Sequence, residues 1–413
     1  MSNEVPESQI AGTPTTHGRR DFVKTAAAAG LMILKPATVF GSQANSAVEV
    51  GVIGCGGRGN WIAPFFPEYT GARIVALADV MQNHLDSTRD KFKVDASRAY
   101  YGPDAYKELA HSKLDGVIIM TPPFFHPEEA EAAVKAGKHV YCAKPIGVDV
   151  PGCLSYADTG KLAAQKKLTF WTDFQTRAQE VYQEAAKRVH QGDIGKPAFA
   201  QVFYYAGRPS KDKGSPGMDP GQRQTLNFYM DKVLGGDIIV EQNIHVIDVA
   251  NWFLQGHPTK ATGTGGRADW SGTGYDAGDA WDHFQVTFWY GNDLQADFSS
   301  NQLTNSFSDL CVRVFGIKGC ADTHYGGSLR ITGENAWKGV EKDDTFKQGA
   351  INNVKAFIAS VKDGKAINNG DQASESTLTA VLGRMAAYQQ RVITWEEMMK
   401  SKERLHADLK LKW

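Results

Sequence analysis

Cysteine is scarce in this chain: five among 413 residues, at positions 55, 142, 153, 311 and 320, with no C-x-x-C pair. That spacing excludes a disulfide framework and a structural zinc knuckle, and it predicts separate buried thiols. The alternative is a Cys311–Cys320 link across a sheet in an oxidising compartment. Neither H-x-x-x-H nor H-E-x-x-H occurs, so no metal site is predicted. Charge of one sign is also missing, since 45 Lys and Arg face 46 Asp and Glu. Such a balance supplies no long-range field for nucleic acid or anionic lipid, and it suits a small, locally recognised ligand. The apolar stretch Ala26 to Leu34 falls short of the roughly 20 residues a membrane span requires, so no stable membrane anchor is expected. Internal repeats beyond a βα alternation are absent. The composition, 42% hydrophobic and 22% charged, is that of a globular chain. Its length predicts two cores at about 150 residues per domain.

The first 47 residues read as an address. Gly18-Arg19-Arg20-Asp21-Phe22-Val23-Lys24 precedes the short apolar run, Lys35-Pro36 closes it, and Ser42, Ala44, Ser46 and Ala47 offer small residues for cleavage. This segment resembles a twin-arginine signal, with Gly18 and Val23 standing where such signals prefer Ser or Thr and Leu. The resemblance implies folded export through the twin-arginine machinery to a periplasm, signal removal, and a cofactor held tightly enough to travel.

A strand-turn-helix unit follows. Val48 to Ile53 is an apolar, β-branched run that stops at Gly54-Cys55-Gly56-Gly57-Arg58-Gly59. Gly54 permits the tight turn, Gly56 lets the backbone approach a pyrophosphate, and Gly59 allows close packing of helix on strand, with Gly57 and Arg58 in the same loop. A second strand, Ile74 to Ala78, ends in Asp79, 25 positions after Gly54. An acid there accepts from the ribose hydroxyls and repels a 2′-phosphate, which favours NAD over NADP. Gly116 to Met120 and His139 to Cys142 are buried-type strands, separated by a helix over 127–136. Ligands in such sheets bind beyond the carboxyl ends of the strands, a rule that selects Thr121, Pro122, His126, Lys144 and Pro145.

At this point the residues resemble the Gfo/Idh/MocA family (glucose-fructose oxidoreductase, inositol dehydrogenase and relatives). The resemblance rests on the glycine loop, Thr121-Pro122-Pro123 with His126, Ala136-Gly137-Lys138-His139-Val140, Ala143-Lys144-Pro145, Gly235-Gly236 with Glu241 and His245, Gly383 to Tyr388, and Thr394 to Met398. It implies a Glu-Lys-Pro at the end of the fifth strand, whose lysine lies near nicotinamide and substrate. Here Ala143 replaces that glutamate, while Lys144 and Pro145 remain. The family's Asp-x-x-x-His appears as Glu241 to His245.

A single helix over Asp237 to Leu254 is predicted, which would put Glu241 and His245, four apart, on one face. With a pKa of about 6.5, His245 suits a general base for a sugar hydroxyl as the adjacent carbon gives up hydride. Lys144 would stabilise negative charge on that oxygen, and Glu241 would orient one of them. The competing reading makes Glu241 and His245 a surface pair and Lys144 a solvated strand end. Thr121 and Pro122 are read as cofactor wall, and His126 as a cofactor contact or a helix cap. Gln175 and Arg177 match a family stretch near the cleft, or else they begin a long helix. Asp282-His283 reads as a satisfied pair on a strand.

From about residue 170 the pattern changes to strands over 198–205, 280–290, 294–300 and 310–315, with a Gly291-Asn292-Asp293 hairpin turn. The predicted organisation is a signal and linker over 1–47, an α/β Rossmann domain over 48–170, and an α+β domain with an open, mainly antiparallel sheet over 171–413. Helices near 350–361 and 374–389 return to the first domain. Stretch 207–224, with Arg208 and Lys211, is a substrate or partner loop or an insertion. The family's open sheet usually dimerises, which implies a homo-oligomer. The leading function is a periplasmic oxidoreductase with tightly bound NAD, acting on a sugar, glycoside or polyol. One alternative is glycoside cleavage by transient oxidation and elimination without net redox. Another is a sugar-binding protein in which Ala143 marks decayed catalysis.

Overall fold

The computed structural model of the chain describes residues 47–208, 212–270, 278–291 and 293–409. Arg19, Arg20, the run Ala26 to Leu34 and Lys211 lie outside the described residues. The first half alternates β1 (Glu49–Ile53), α1 (Gly57–Ile62), α2 (Phe65–Thr70), β2 (Arg73–Asp79), α3 (Gln82–Phe92), β3 (Ala99–Tyr101) and α4 (Ala105–His111). It continues through β4 (Gly116–Ile119), α5 (His126–Lys135), β5 (His139–Ala143), α6 (Val150–Gln165) and β6 (Phe170–Asp173). These strands pair in parallel in the order β3-β2-β1-β4-β5-β6. Helices cover both faces, so β1, β2 and β4 are buried almost throughout, as their near-continuous apolar runs require. Strand order reverses between β1 and β4, which opens a crevice at their carboxyl ends. Because β6 pairs with β5, this sheet runs past the boundary expected at 170.

The second half comprises α7 (Glu180–Gln191), β7 (Pro197–Tyr205), α8 (Pro220–Leu226), α9 (Lys232–Gly235), α10 (Ile238–Glu241), α11 (Ile244–Leu254), β8 (Lys260–Gly266), β9 (His283–Trp289) and β10 (Gln295–Asn301). After them come β11 (Asp309–Gly316), β12 (Gly319–His324), β13 (Leu329–Gly333), β14 (Trp337–Val340), α12 (Ala350–Asp363), α13 (Gly370–Gln389), β15 (Ile393–Thr394) and α14 (Trp395–Met399). Their sheet has the order β14-β13-β12-β11-β7-β10-β9-β8-β15. Among the described residues β7 and β10 are its one parallel pair, and the other neighbours are antiparallel. One face buries Phe284, Val286, Phe288 and Phe298 in the core. There α13 approaches so closely that a Cβ on Gly383 would sit 2.7 Å from the Phe288 ring. The opposite face is open, with Phe199 stacked on Phe315 at 4.4 Å and Phe203 on Tyr205 at 5.2 Å.

The closing helix α12 packs on the first sheet. Phe357 of α12 meets Tyr141 of β5 edge-on at 5.5 Å, and Trp171 Nε1 donates to Asn353 Oδ1 at 2.8 Å. All five cysteines are free; Cys311 lies opposite His324 and Cys320 opposite Phe315, so neither faces the other. Among the described residues no helix is long and apolar enough to cross a membrane.

Candidate active site

The glycine loop closes β1 against the crevice. Gly54 has φ 87°, a left-handed conformation, and a side chain there would meet the Met120 carbonyl carbon at 2.7 Å. Gly59 presses α1 onto the turn, since its Cβ would lie 2.0 Å from the Gly54 oxygen. Added Cβ atoms on Gly56 and Gly57 would meet nothing closer than 3.5 Å, so this stretch of backbone remains open to a ligand. No side chain caps α1, which leaves its first N–H groups available to an anion. Asp79 ends β2 beside the loop; its oxygens accept from Cys55 N and Met81 N, each at 2.6 Å. A carboxylate offers about four acceptor positions, so acceptor capacity remains beyond these two bonds.

A cavity of about 560 Å³ runs from this loop to the ends of β4 and β5. Thr121 and Pro122 line it, as do Ala143, Lys144, Gln175, Glu241 and His245. Thus the crevice brings the predicted cofactor loop and the predicted reaction residues into one space. Its size and its uncluttered glycine cradle fit a dinucleotide.

At the far end of the cavity, Lys144 Nζ donates to the Glu241 carbonyl at 2.5 Å and lies 3.5 Å from Glu241 Oε1. Burial lowers the Lys144 ammonium from its usual value, opposed by Glu241 and assisted by Arg58. His245 lines the same space, its Nδ1 buried without a hydrogen-bond partner and its ring 5.3 Å from that of Tyr325. Burial, then the charges of Lys144 and Arg58, hold His245 well below the ordinary imidazole value, so it is neutral at rest.

The backbone beneath this group differs from the single predicted helix. The chain forms α10 and α11 separately, with a break at Gln242-Asn243. Glu241 closes one turn and His245 opens the next, so the cavity rather than an i, i+4 face unites them. Asp237 starts α10 at φ 74° and ψ 165°, a conformation disfavoured for any side chain. Its carboxylate secures that turn by accepting from Ile238 N at 2.7 Å, Trp281 N at 3.1 Å and Tyr388 Oη at 2.6 Å. Nothing in a helical period marks such a break.

Four other candidate residues already have protein partners. His126 is fully buried, with its ring nitrogens 2.7 Å from the Pro145 carbonyl and 2.8 Å from that of Thr121. It pins two loop ends and is not among the residues that line the cavity, and burial lowers it to about 4. Gln175 reaches the cavity but is tied to Phe346 O at 2.6 Å and to Tyr325 Oη at 3.0 Å. Arg58 pairs with Asp173 and covers Trp61 at 4.7 Å. Arg177 is occupied by Asp248 at 2.9 Å, outside the cavity lining. Asp282 caps the backbone of Ala268, Asp269 and Trp270 and holds His283 at 2.7 Å, a satisfied pair as read from sequence.

Sequence reasoning missed Glu129, Phe228 and Tyr229, all of which line the cavity. Glu129 accepts from the Thr121 hydroxyl at 2.5 Å, and burial pushes its carboxyl up to about 8. As an acid in the first turn of α5 it looked like ordinary helix charge. The stretch over 207–224 does approach the cavity, through Lys213 and the following Thr225 and Leu226.

Away from the cavity, Asp309, Cys311 and His324 bring potential metal donors together on the sheet. The cluster is closed by its own charges: His324 bonds Asp309 at 2.7 Å and Asp322 at 3.2 Å, and Arg313 and Arg330 hold Asp322. Hydrogen bonding to Asp322, then to Cys311 and Asp309, raises His324 to about 11. A group raised above its unfolded value stabilises fully below about pH 6.5, and that contribution fades as pH climbs toward the folded value. Thus His324→Gln is expected to cost about 1 kcal/mol near pH 6, discounted for solvent screening. Denaturant melts at pH 6 and 9.5 check whether the gap to wild type narrows at the higher pH.

Two family models match successive parts of the chain. Residues 48–174 match the family described as "Oxidoreductase family, NAD-binding Rossmann fold", and residues 182–322 match "GFO/IDH/MocA C-terminal domain". Inositol 2-dehydrogenase of Rhizobium meliloti is 25% identical over 78% of this chain and 90% of its own length. Myo-inositol 2-dehydrogenase of Thermotoga maritima is 24% identical over 85% of this chain and 100% of its own. Among solved structures, scyllo-inositol dehydrogenase from Lactobacillus casei with bound NAD(H) and scyllo-inositol superposes with a TM-score of 0.67 at 19% identity, covering 85% of this chain and 100% of that one.

Proposed function

The chain belongs to the GFO/IDH/MocA family of NAD-dependent oxidoreductases, and from that premise we propose that it transfers hydride to or from a carbinol carbon of a sugar, glycoside or polyol. The observation that carries this reading is the meeting of Lys144, Glu241 and the neutral His245 at the end of a cavity that begins at the glycine loop. Similarity to inositol dehydrogenases over most of the chain supports a polyhydroxylated substrate.

When bound, NAD supplies the hydride acceptor or donor. His245 takes the carbinol proton on its imidazole. The Lys144 ammonium has three donors; one bonds the Glu241 carbonyl and the Glu241 carboxylate lies 3.5 Å away, and a remaining donor bonds the carbinol oxygen and stabilises negative charge there. Glu241 holds that ammonium in place. Thr121 and Pro122 form wall, and Asp79 receives the adenosine ribose. Asp79→Ser is expected to weaken NADH binding about tenfold, through loss of a charge-assisted hydrogen bond, and to narrow the preference over NADPH. Titrating the nicotinamide fluorescence with both nucleotides measures this.

The Arg19-Arg20 leader supports export of the folded, cofactor-loaded chain to a periplasm. The open face carrying Phe199 and Phe315 supports a homo-oligomer. The test is to purify the mature protein, identify any dinucleotide released on denaturation, and follow reduced-nicotinamide absorbance while screening cyclitols, sugars and glycosides. Net NADH formation with a polyol or sugar is the expected result. Aglycone release without NADH would replace it with elimination chemistry at the same site, whereas failure to bind any pyridine nucleotide overturns the redox reading.

A further inference from the structure

Asp173 is a carboxylate with no solvent exposure at the last position of β6. Its register partner on β5 is Ala143, the residue immediately before Lys144. The strand that leads into the site lysine therefore ends without an acid of its own, and the neighbouring strand places one opposite that last position. Oδ1 of Asp173 accepts from Asn353 Nδ2 at 3.0 Å, and Oδ2 pairs with Arg58 of the glycine loop. Burial raises the Asp173 carboxyl, and Arg58 is the largest influence pulling it back.

Resting on the reading of Lys144 given above, we infer that Arg58 and Asp173 form a positioning pair that couples the dinucleotide loop to the charge of Lys144. The pair holds the loop arginine, and Arg58 lines the same cavity as Lys144. Both members act on Lys144 from different elements: Asp173 from β6 favours its ammonium, and Arg58 from α1 opposes it. Glu241 from α10 favours it as well, and His245 from α11, being neutral, leaves the balance to these three charges. An anion binding at the loop would draw Arg58 toward it and leave Asp173 to hold Lys144 protonated. Cofactor loading and lysine charge are thereby linked through one ion pair.

Opposite shifts from the two partners separate this role from a merely structural one. Competitive acetylation of the full chain across pH, read at the Lys144 peptide by mass spectrometry, titrates that amine without any substrate. Asp173→Asn keeps the shape and the acceptor for Asn353, and it is expected to lower the Lys144 midpoint by about half a pH unit or more. Arg58→Gln is expected to raise it. Adding Ala143→Glu to Asp173→Asn restores a carboxylate from the lysine's own strand and is expected to return the midpoint toward wild type. Shifts of the same sign in the two single variants, or no shift in either, overturn the proposal. If Asp173→Asn does not fold, Arg58→Gln decides alone, since an unchanged or lowered midpoint is sufficient to reject the pair. NADH titration of the wild type runs in parallel: absence of binding there sinks the cofactor reading, whereas intact binding with unmoved midpoints sinks only this one.

Discussion

Lys144→Met is expected to lower kcat about a hundredfold to a thousandfold while the protein still folds and binds NADH within a few fold of wild type. Methionine keeps most of the length and apolar stem of lysine, so the cavity wall beside Ala143 and Glu241 stays filled. What vanishes is the donor aimed at the carbinol oxygen, an interaction that strengthens as negative charge develops and so acts mainly on kcat. Met also relieves the desolvation that lowers the Lys144 ammonium, a gain smaller than the loss of a partner for the partly buried Glu241. The melting temperature should therefore fall by a few degrees, on the order of what breaking one partly buried pair costs. Steady-state rates with the best substrate from the screen, together with NADH titration and thermal melts, check all three quantities. A kcat within tenfold of wild type would remove Lys144 from the chemistry. Loss of NADH binding alongside kcat would instead make it a cofactor residue.

Much of the frame was legible because it follows from local rules. The run Val48 to Ile53 ending at Gly54 could only be a buried strand meeting a tight turn, and Asp79 lies where the second parallel strand must end. The hairpin around Gly291, the strands over 198–205 and 310–315, and the returning helices α12 and α13 were read from alternation and period in the same way. The site was less legible where tertiary contacts override those rules. Helical spacing joined Glu241 to His245, yet Asp237 at φ 74° forces a separate turn, because Tyr388 and Trp281 from distant segments make that conformation affordable. His126 is open to two readings in the sequence, a cofactor contact or a helix cap, because its position after Thr121-Pro122 is a loop end. Its two carbonyl partners come from loops that only the folded sheet brings together. Its place among the glycines groups Arg58 with the cofactor loop, and the acid that pairs with it is 115 residues away on β6. β12, β13 and β14 escaped notice because their short runs mix Gly, Thr and charge, and pairing with β11 supplies the order their sequences lack.

Gly59→Ala should abolish usable NADH affinity, by about a hundredfold or more, and Gly57→Ala in the same turn should leave the fold unperturbed. Both glycines open α1 within two residues of each other, so helix propensity alone predicts a small gain for either alanine. Space decides against that for Gly59, whose added Cβ would sit 2.0 Å from the Gly54 carbonyl oxygen. Gly54 cannot yield easily, since it is held at φ 87° with its N–H bonded to Ala78 O at 2.9 Å and its backbone against Met120. The helix must therefore lift off β1, at a cost of about 2–4 kcal/mol, and its free N–H groups move away from the diphosphate position. At Gly57 an added Cβ meets no atom within 4 Å, so stability is unchanged or slightly higher. Any loss of NADH affinity in Gly57→Ala then reports contact with the ligand itself, because Gly57 faces the cavity. Thermal melts of both variants, followed by NADH titration of whichever remains folded, separate the two effects. Equal melting temperatures for Gly59→Ala and wild type would mean that the turn is looser than the 2.0 Å approach requires, and the dinucleotide cradle would need another origin.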